Sequence, residues 1–183
     1  MARLYLIRHG EPSGSYTETR DAGLSPLGHE QAKAAAQALR AFGPLDVISS
    51  PLMRARETAA PYAALRGVTP TIVEAVAEIP TPDHVPFENR GEWLRGRMTG
   101  SWRDAEPMLQ RWRGEAIAYL KALPRDTAIF SHYVAINVAV AAARGDDRVT
   151  VFAPTHASIT ILDATPDALI EVELGRTGES VVR

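Results

Sequence analysis

The apolar residues Leu4-Tyr5-Leu6-Ile7 run directly into Arg8-His9-Gly10. A run this short and this apolar, closed by a glycine, reads as a strand buried on both faces. Strands of that kind belong to parallel sheets covered by helices, so this one feature narrows the fold at once. Two further runs behave alike. Ala128-Ile129-Phe130 ends in Ser131-His132, and Asp46-Val47-Ile48-Ser49 leads into Ser50-Pro51-Leu52-Met53-Arg54. Together they deliver His9, His132, Arg8 and Arg54 to the carboxyl ends of strands. In open α/β sheets that edge is where ligands bind.

Helical patterns fill the intervals. Ser25 suits the cap and Pro26 the first position of a helix. Ala32, Ala35, Ala36, Leu39 and Phe42 form its apolar stripe, and Gly43-Pro44 stops it. Ser50-Pro51 is expected to start a second helix by the same device, reaching about Arg66-Gly67. Thr71-Ile72-Val73 reads as a strand, 104–122 as an amphipathic helix, 127–131 as a strand and 133–143 as a buried helix. Thr160-Ile161-Leu162 and the run Leu169 to Leu174 flank Pro166-Asp167 as a terminal hairpin. The expectation is an α/β fold over residues 1–183 as a single domain, three-layered, with a central mixed, mostly parallel sheet flanked by helices. The stretch 79–103 breaks the rhythm with Pro80, Pro82, Pro86, Gly91, Gly96 and Gly100. Its aromatic residues Phe87, Trp93 and Trp102 argue against disorder, so it is expected to form a lid over the carboxyl edge.

Composition removes several function classes. The chain has no cysteine, which excludes disulfides, thiol catalysis and Cys-based metal sites. A net charge of −2 implies no bulk attraction to nucleic acid or to acidic membranes. No apolar stretch is long enough to span a bilayer and no secretory leader pattern opens the chain, so a cytoplasmic location is the expectation. Of the 20 Lys and Arg residues only Lys33 and Lys121 are lysines. Arginine suits bidentate recognition of phosphate or carboxylate.

Two arginines and two histidines converging on one edge suit a tetrahedral dianion. One imidazole can serve as nucleophile and the other can hold phosphate oxygens. The set needs no metal and no cofactor, and an acid should approach from the far side to protonate the leaving group.

The ordered segments Leu6-Ile7-Arg8-His9-Gly10-Glu11, Leu24 to Ala32, Ser49 to Ala59 and Phe130-Ser131-His132-Tyr133 resemble the histidine phosphatase superfamily, the phosphoglycerate mutase-like fold. The resemblance covers residues 3 to about 140 and implies roles. His9 would be the phosphorylated nucleophile, with Arg8, Arg54 and His132 completing the pocket. Arg56 lies two residues from Arg54, on another face of a helix, and the motif favours Arg54. Ala77-Glu78-Ile79 occupies the place of the family's acid, which makes Glu78 the proton donor, with Asp83, Glu88 and Glu92 as alternatives. The backbone N–H of Tyr133, opening a helix, could donate to phosphate, and Ser15 falls among the substrate-binding candidates. His29, His84 and His156 are assigned structural or surface places. The chain departs from the family pattern at Ile79-Pro80-Thr81-Pro82, at Tyr133-Val134 and at Gly14-Ser15. The function this implies is metal-independent hydrolysis of a small-molecule phosphomonoester. The alternatives are a mutase-type phosphoryl transferase and a non-catalytic phosphate-binding module. The physiological substrate and the oligomeric state stay open.

Overall fold

The computed structural model describes residues 1–15 and 19–178. A six-stranded sheet carries the fold. Its strands are β1 (Ala2–Arg8), β2 (Asp46–Ser49), β3 (Thr71–Ile72), β4 (Thr127–Ser131), β5 (Ile159–Ala164) and β6 (Leu169–Glu173), in the order β3-β2-β4-β1-β5-β6. β1, β2, β3 and β4 run parallel, while β5 pairs antiparallel with both β1 and β6. The sheet is mixed, as its sequence implies.

Alternation along the central strand sorts its side chains into two cores. Tyr5 and Ile7 join Val47 and Phe130 beneath α1 (Pro26–Leu39) and α2 (Met53–Arg66). Leu4 and Leu6 join Ile48 and Ile129 on the other face, beneath α5 (Tyr133–Arg144). α4 (Pro107–Lys121) packs outside α5. Every residue from Tyr133 to Ala141 is buried, which suits a helix that is apolar all round and enclosed by sheet and helix alike.

The parallel strands end flush. Arg8 pairs in register with Ser131, and Ile7 and Ser49 both face Phe130. His9, Ser50 and His132 therefore leave the sheet side by side. The His9 N–H donates to the Ser131 carbonyl at 3.0 Å, and the Ser50 N–H to the Phe130 carbonyl at 3.0 Å.

α1 begins where its sequence signals place it. The Ser25 hydroxyl accepts from the Gly28 N–H at 3.0 Å, and its own proton goes to Glu11 Oε1 at 2.8 Å. This first turn lies against the chain leaving β1. A Cβ at Gly10 would stand 2.6 Å from the Gly28 carbonyl oxygen, and one at Gly28 would meet the Glu11 carbonyl.

Three expectations require correction. α2 starts at Met53, without a side-chain cap, rather than at Ser50-Pro51. The Ser50 hydroxyl is committed to the Leu52 N–H and to His132, so the chain turns its corner before helix begins. The stretch 79–103 is also more regular than expected, because it contains α3 (Arg90–Met98) between short 3-10 turns at Phe87–Asn89 and Trp102–Asp104. Only Gly91 and Leu94 of α3 are buried, so no apolar stripe marks it. Its packing comes from the fully buried Trp102, which joins Ile79, Leu94, Leu109 and Val138 in a third core. The 104–122 helix shortens likewise to α4, with Pro107 in its first turn.

Gly28→Ala is expected to cost about 1–3 kcal/mol, because the methyl must push α1 away from the β1 exit. Thermal denaturation followed by circular dichroism checks this through a melting temperature several degrees lower.

Candidate active site

The flush strand ends deliver the cleft's central groups. His9 is buried, and its Nδ1 lies 2.7 Å from the carbonyl oxygen of Gly10. A carbonyl can only accept, so the ring proton sits on Nδ1 and the Nε2 lone pair is left for chemistry. Gly10 is itself fixed, since its N–H donates to Thr58 Oγ1 at 2.9 Å and the Thr58 hydroxyl donates to the Arg54 carbonyl at 2.6 Å. Thr58 thus couples the exit of β1 to the turn of α2 that carries Arg54.

Arg54 is 8% exposed and lines the cleft with Arg8, His9, Glu78 and Tyr133, while Arg56 is exposed. Arg8 is 2% exposed. Burial lowers its pKa to about 10, against the opposing pull of Glu78, and the guanidinium remains charged at neutral pH. Burial also holds His9 well below the ordinary histidine range, and the cations of Arg54 and Arg8 push it the same way. His132 is lowered for the same reasons. Both imidazoles are neutral at pH 7. Their ring centroids are 5.2 Å apart.

His132 Nε2 lies 2.7 Å from Ser50 Oγ. The Ser50 hydroxyl can donate to Nε2 while it accepts from the Leu52 N–H, a pairing that belongs to the tautomer with the ring proton on Nδ1. In that tautomer Nδ1 is a buried donor, and it has no hydrogen-bond partner among the described residues. An orphaned donor beside two cations is suited to an anionic oxygen.

Glu78 faces this group from the segment after β3. Its carboxylate accepts from the N–H groups of Ile79 at 3.0 Å, Val134 at 3.1 Å and Ala135 at 3.3 Å. It therefore caps α5. Burial raises its pKa above the usual carboxylate range, while these N–H donors and the two arginines oppose the rise. The Tyr133 N–H expected to meet phosphate lies one residue before the amides that Glu78 occupies, and the Tyr133 ring covers Arg8 at 5.0 Å. Ser15 lines the outer wall of the cleft.

Of the alternative carboxylates, Asp83, Glu88 and Glu92 do not line the cleft, and of α3 Leu94 does. Arg103 turns away to pair with Asp147. His29 and His84 stand near Glu57 and Glu106 on the surface. His156 departs from expectation. It lies in the cleft, with its ring centroid 5.7 Å from that of His9 and its Nε2 3.1 Å from Arg8 Nη2. Nothing adjacent to it in sequence carries a recognisable motif, so no local signal marks it. Thr58 and Ser50 did lie inside a recognised motif, but their bonds to Gly10 and His132 are set by tertiary contact.

The cleft has a volume of about 1530 Å³, larger than a phosphate needs, so room remains for an organic group. Residues 4–176 match the Histidine phosphatase superfamily (branch 1). The chain belongs to that superfamily. Among similar proteins of Mycobacterium tuberculosis, the PE-PGRS family protein PE_PGRS11 is 39% identical over 80 residues, which is 40% of this chain and 14% of that protein. The uncharacterized protein Rv0525 is 39% identical over 107 residues, 56% of this chain and 49% of that protein. This superfamily member thus spans half or less of the curated relatives it matches. It shares its fold with the mycobacterial glucosyl-3-phosphoglycerate phosphatase Rv2419c, whose structure is in complex with VO3 (TM-score 0.68, 24% identity, covering 89% of this chain and 93% of that one).

The lowered histidine pKa values carry a stability consequence. Below the ordinary value of 6.5 the unfolded chain takes up protons that folded His9 and His132 refuse, so stability falls as pH falls. The slope approaches about 1.4 kcal/mol per pH unit for each imidazole. Glu78 acts oppositely, costing stability as pH rises above its ordinary 4.5. His132→Asn is therefore expected to flatten the decline in melting temperature between about pH 6.5 and 5.5, measured by differential scanning fluorimetry across buffers.

Proposed function

We propose that this protein hydrolyses small organic phosphomonoesters, without a metal, through a phosphohistidine on His9. The observation that carries the reading is the His9 imidazole, pinned through Nδ1 to the Gly10 carbonyl and kept neutral between Arg8 and Arg54, with Glu78 facing the same space. A neutral imidazole with its Nε2 lone pair exposed to a cationic pocket is a competent phosphoryl acceptor.

In this reading Arg8, Arg54 and the His132 Nδ1–H hold the three non-bridging phosphate oxygens. His9 Nε2 attacks phosphorus, and the bond from phosphorus to the ester oxygen breaks. The departing oxygen takes the proton of Glu78. Water then enters, loses a proton to the Glu78 carboxylate and attacks phosphorus. The N–P bond breaks, its electron pair returns to Nε2, and phosphate leaves. The raised pKa of Glu78 favours the protonated form that the first step needs, and the α5 amides stabilise the carboxylate that remains. The substrate class rests on the room left in the cleft beyond a phosphate and on the shared fold with a phosphatase of a small phosphorylated sugar acid.

The test is steady-state hydrolysis with EDTA present, alongside acid-quench trapping of the phosphoenzyme. His9→Ala is expected to abolish both turnover and adduct. In kcat/KM, which reports phosphoenzyme formation and not the water attack that follows, Glu78→Gln should cost about 10²–10³-fold on an alkyl phosphate, whose leaving group must be protonated, and about tenfold or less on p-nitrophenyl phosphate. An equal loss of kcat/KM on both substrates would remove Glu78 from the proton-donor role. Phosphoryl transfer to an alcohol acceptor faster than to water would favour the mutase. Phosphate binding without turnover on a broad panel would favour the binding module.

A further inference from the structure

One loop grips Arg8 at four points. The Pro154 carbonyl accepts from Nη1 at 2.8 Å, and His156 Nε2 lies 3.1 Å from Nη2. The Ala157 N–H donates to the Arg8 carbonyl at 2.9 Å, and the Ser158 carbonyl accepts from the Arg8 N–H at 3.2 Å. A guanidinium has donors only, so His156 Nε2 must accept and its ring proton must sit on Nδ1. The Tyr133 ring closes one face of the same guanidinium.

The loop is held in an unusual shape to do this. Ala157 has φ +54°, and it is the one described non-glycine residue with positive φ. Bulky and ordinary side chains adopt that region reluctantly. Here the conformation lets the Ala157 amide point at the strand end while the preceding residue, His156, points into the cleft. The rest of the loop is braced from behind. Buried Asn137 on α5 accepts from the N–H groups of Val151 at 2.8 Å and Phe152 at 3.1 Å, and the Thr155 N–H donates to the Arg176 carbonyl at 2.8 Å.

We infer that His156 is a positioning residue, whose imidazole accepts from Arg8 and thereby sets the rotation of the guanidinium fork that meets the substrate phosphate. The inference rests on the phosphate-site reading above. A side-chain imidazole with a single usable lone pair fixes one N–H of the fork, and the Pro154 carbonyl fixes another. Two fixed points define the plane of a planar group. Arg8 then meets the dianion without first ordering itself, and strain at Ala157 is the kind of local cost that functional sites retain.

The probes are inorganic phosphate, titrated calorimetrically, and p-nitrophenyl phosphate turnover, using the wild type, His156→Leu, His156→Gln and Ala157→Gly. His156→Leu is expected to weaken phosphate binding and raise KM by about tenfold, with a smaller change in kcat and little change in melting temperature. His156→Gln retains an acceptor oxygen and should recover most of that loss. Ala157→Gly should leave phosphate affinity and the fold intact, because glycine adopts the positive φ that aims His156 without strain. In an Arg8→Lys background, His156→Leu should cost little more. Unchanged phosphate affinity in His156→Leu would overturn the inference while leaving the hydrolase reading in place. So would equal losses in His156→Leu and His156→Gln accompanied by a fall in melting temperature. A wild type that neither hydrolyses nor binds phosphate would overturn both.

Discussion

The structure depends on burying two guanidinium cations at the edge of a sheet. Arg8 and Arg54 lose most of their hydration, and a buried charge is tolerated only where fixed polar groups replace the water. The carbonyl of Pro154, the imidazole of His156 and the face of Tyr133 do so for Arg8, and Glu78 faces both cations. Once paid for, this arrangement produces the chemistry. Burial, reinforced by the two fixed cations, keeps His9 and His132 neutral, and neutrality is what leaves His9 with a usable lone pair. The same field opposes the burial effect on Glu78, so that it sits between a plain carboxylate and a permanently neutral acid.

Glu78 shows how one group serves folding and chemistry together. Its carboxylate caps the first turn of α5, whose next residues are all buried in the central core. An anion is favoured at a helix N-terminus by the unpaired N–H groups there. The residue assigned the proton exchange in the proposed reaction is therefore held by an enclosed helix, which limits its movement and its access to bulk water.

Much of this was legible in the sequence, and the reasons differ from element to element. The runs ending at Arg8, Ser49 and Ser131 are short, apolar and closed by turn-forming residues, so both the strands and their shared edge could be read. Ser25-Pro26 marked α1 because a cap is a local interaction. The same dipeptide pattern misled at Ser50-Pro51, where a tertiary bond to His132 takes the hydroxyl. α3 was hidden because its helical residues are mostly charged or glycine, and the fully buried Trp102, four residues beyond it, anchors the segment instead. His156 was assigned elsewhere because its place in the cleft follows from the turn at Ala157 and from the bracing of residues 151–155, none of which has a sequence signature.

The pairing of β1 has a consequence for how the chain reaches this state. Leu4 lies opposite Thr127 on one side and Leu162 on the other, so β1 is completed by strands made far later. Contacts of such sequence separation close slowly, because a long loop must be ordered before its pairing is gained. Until β4 and β5 arrive, the apolar run before Arg8 has no partner on either edge, and an emerging chain carries an uncovered strand that other chains could pair with. His9 is synthesised well before the strands that complete its surroundings. A chain stalled or misregistered at β1 is therefore sticky and lacks the assembled cleft, which forms only when the sheet closes.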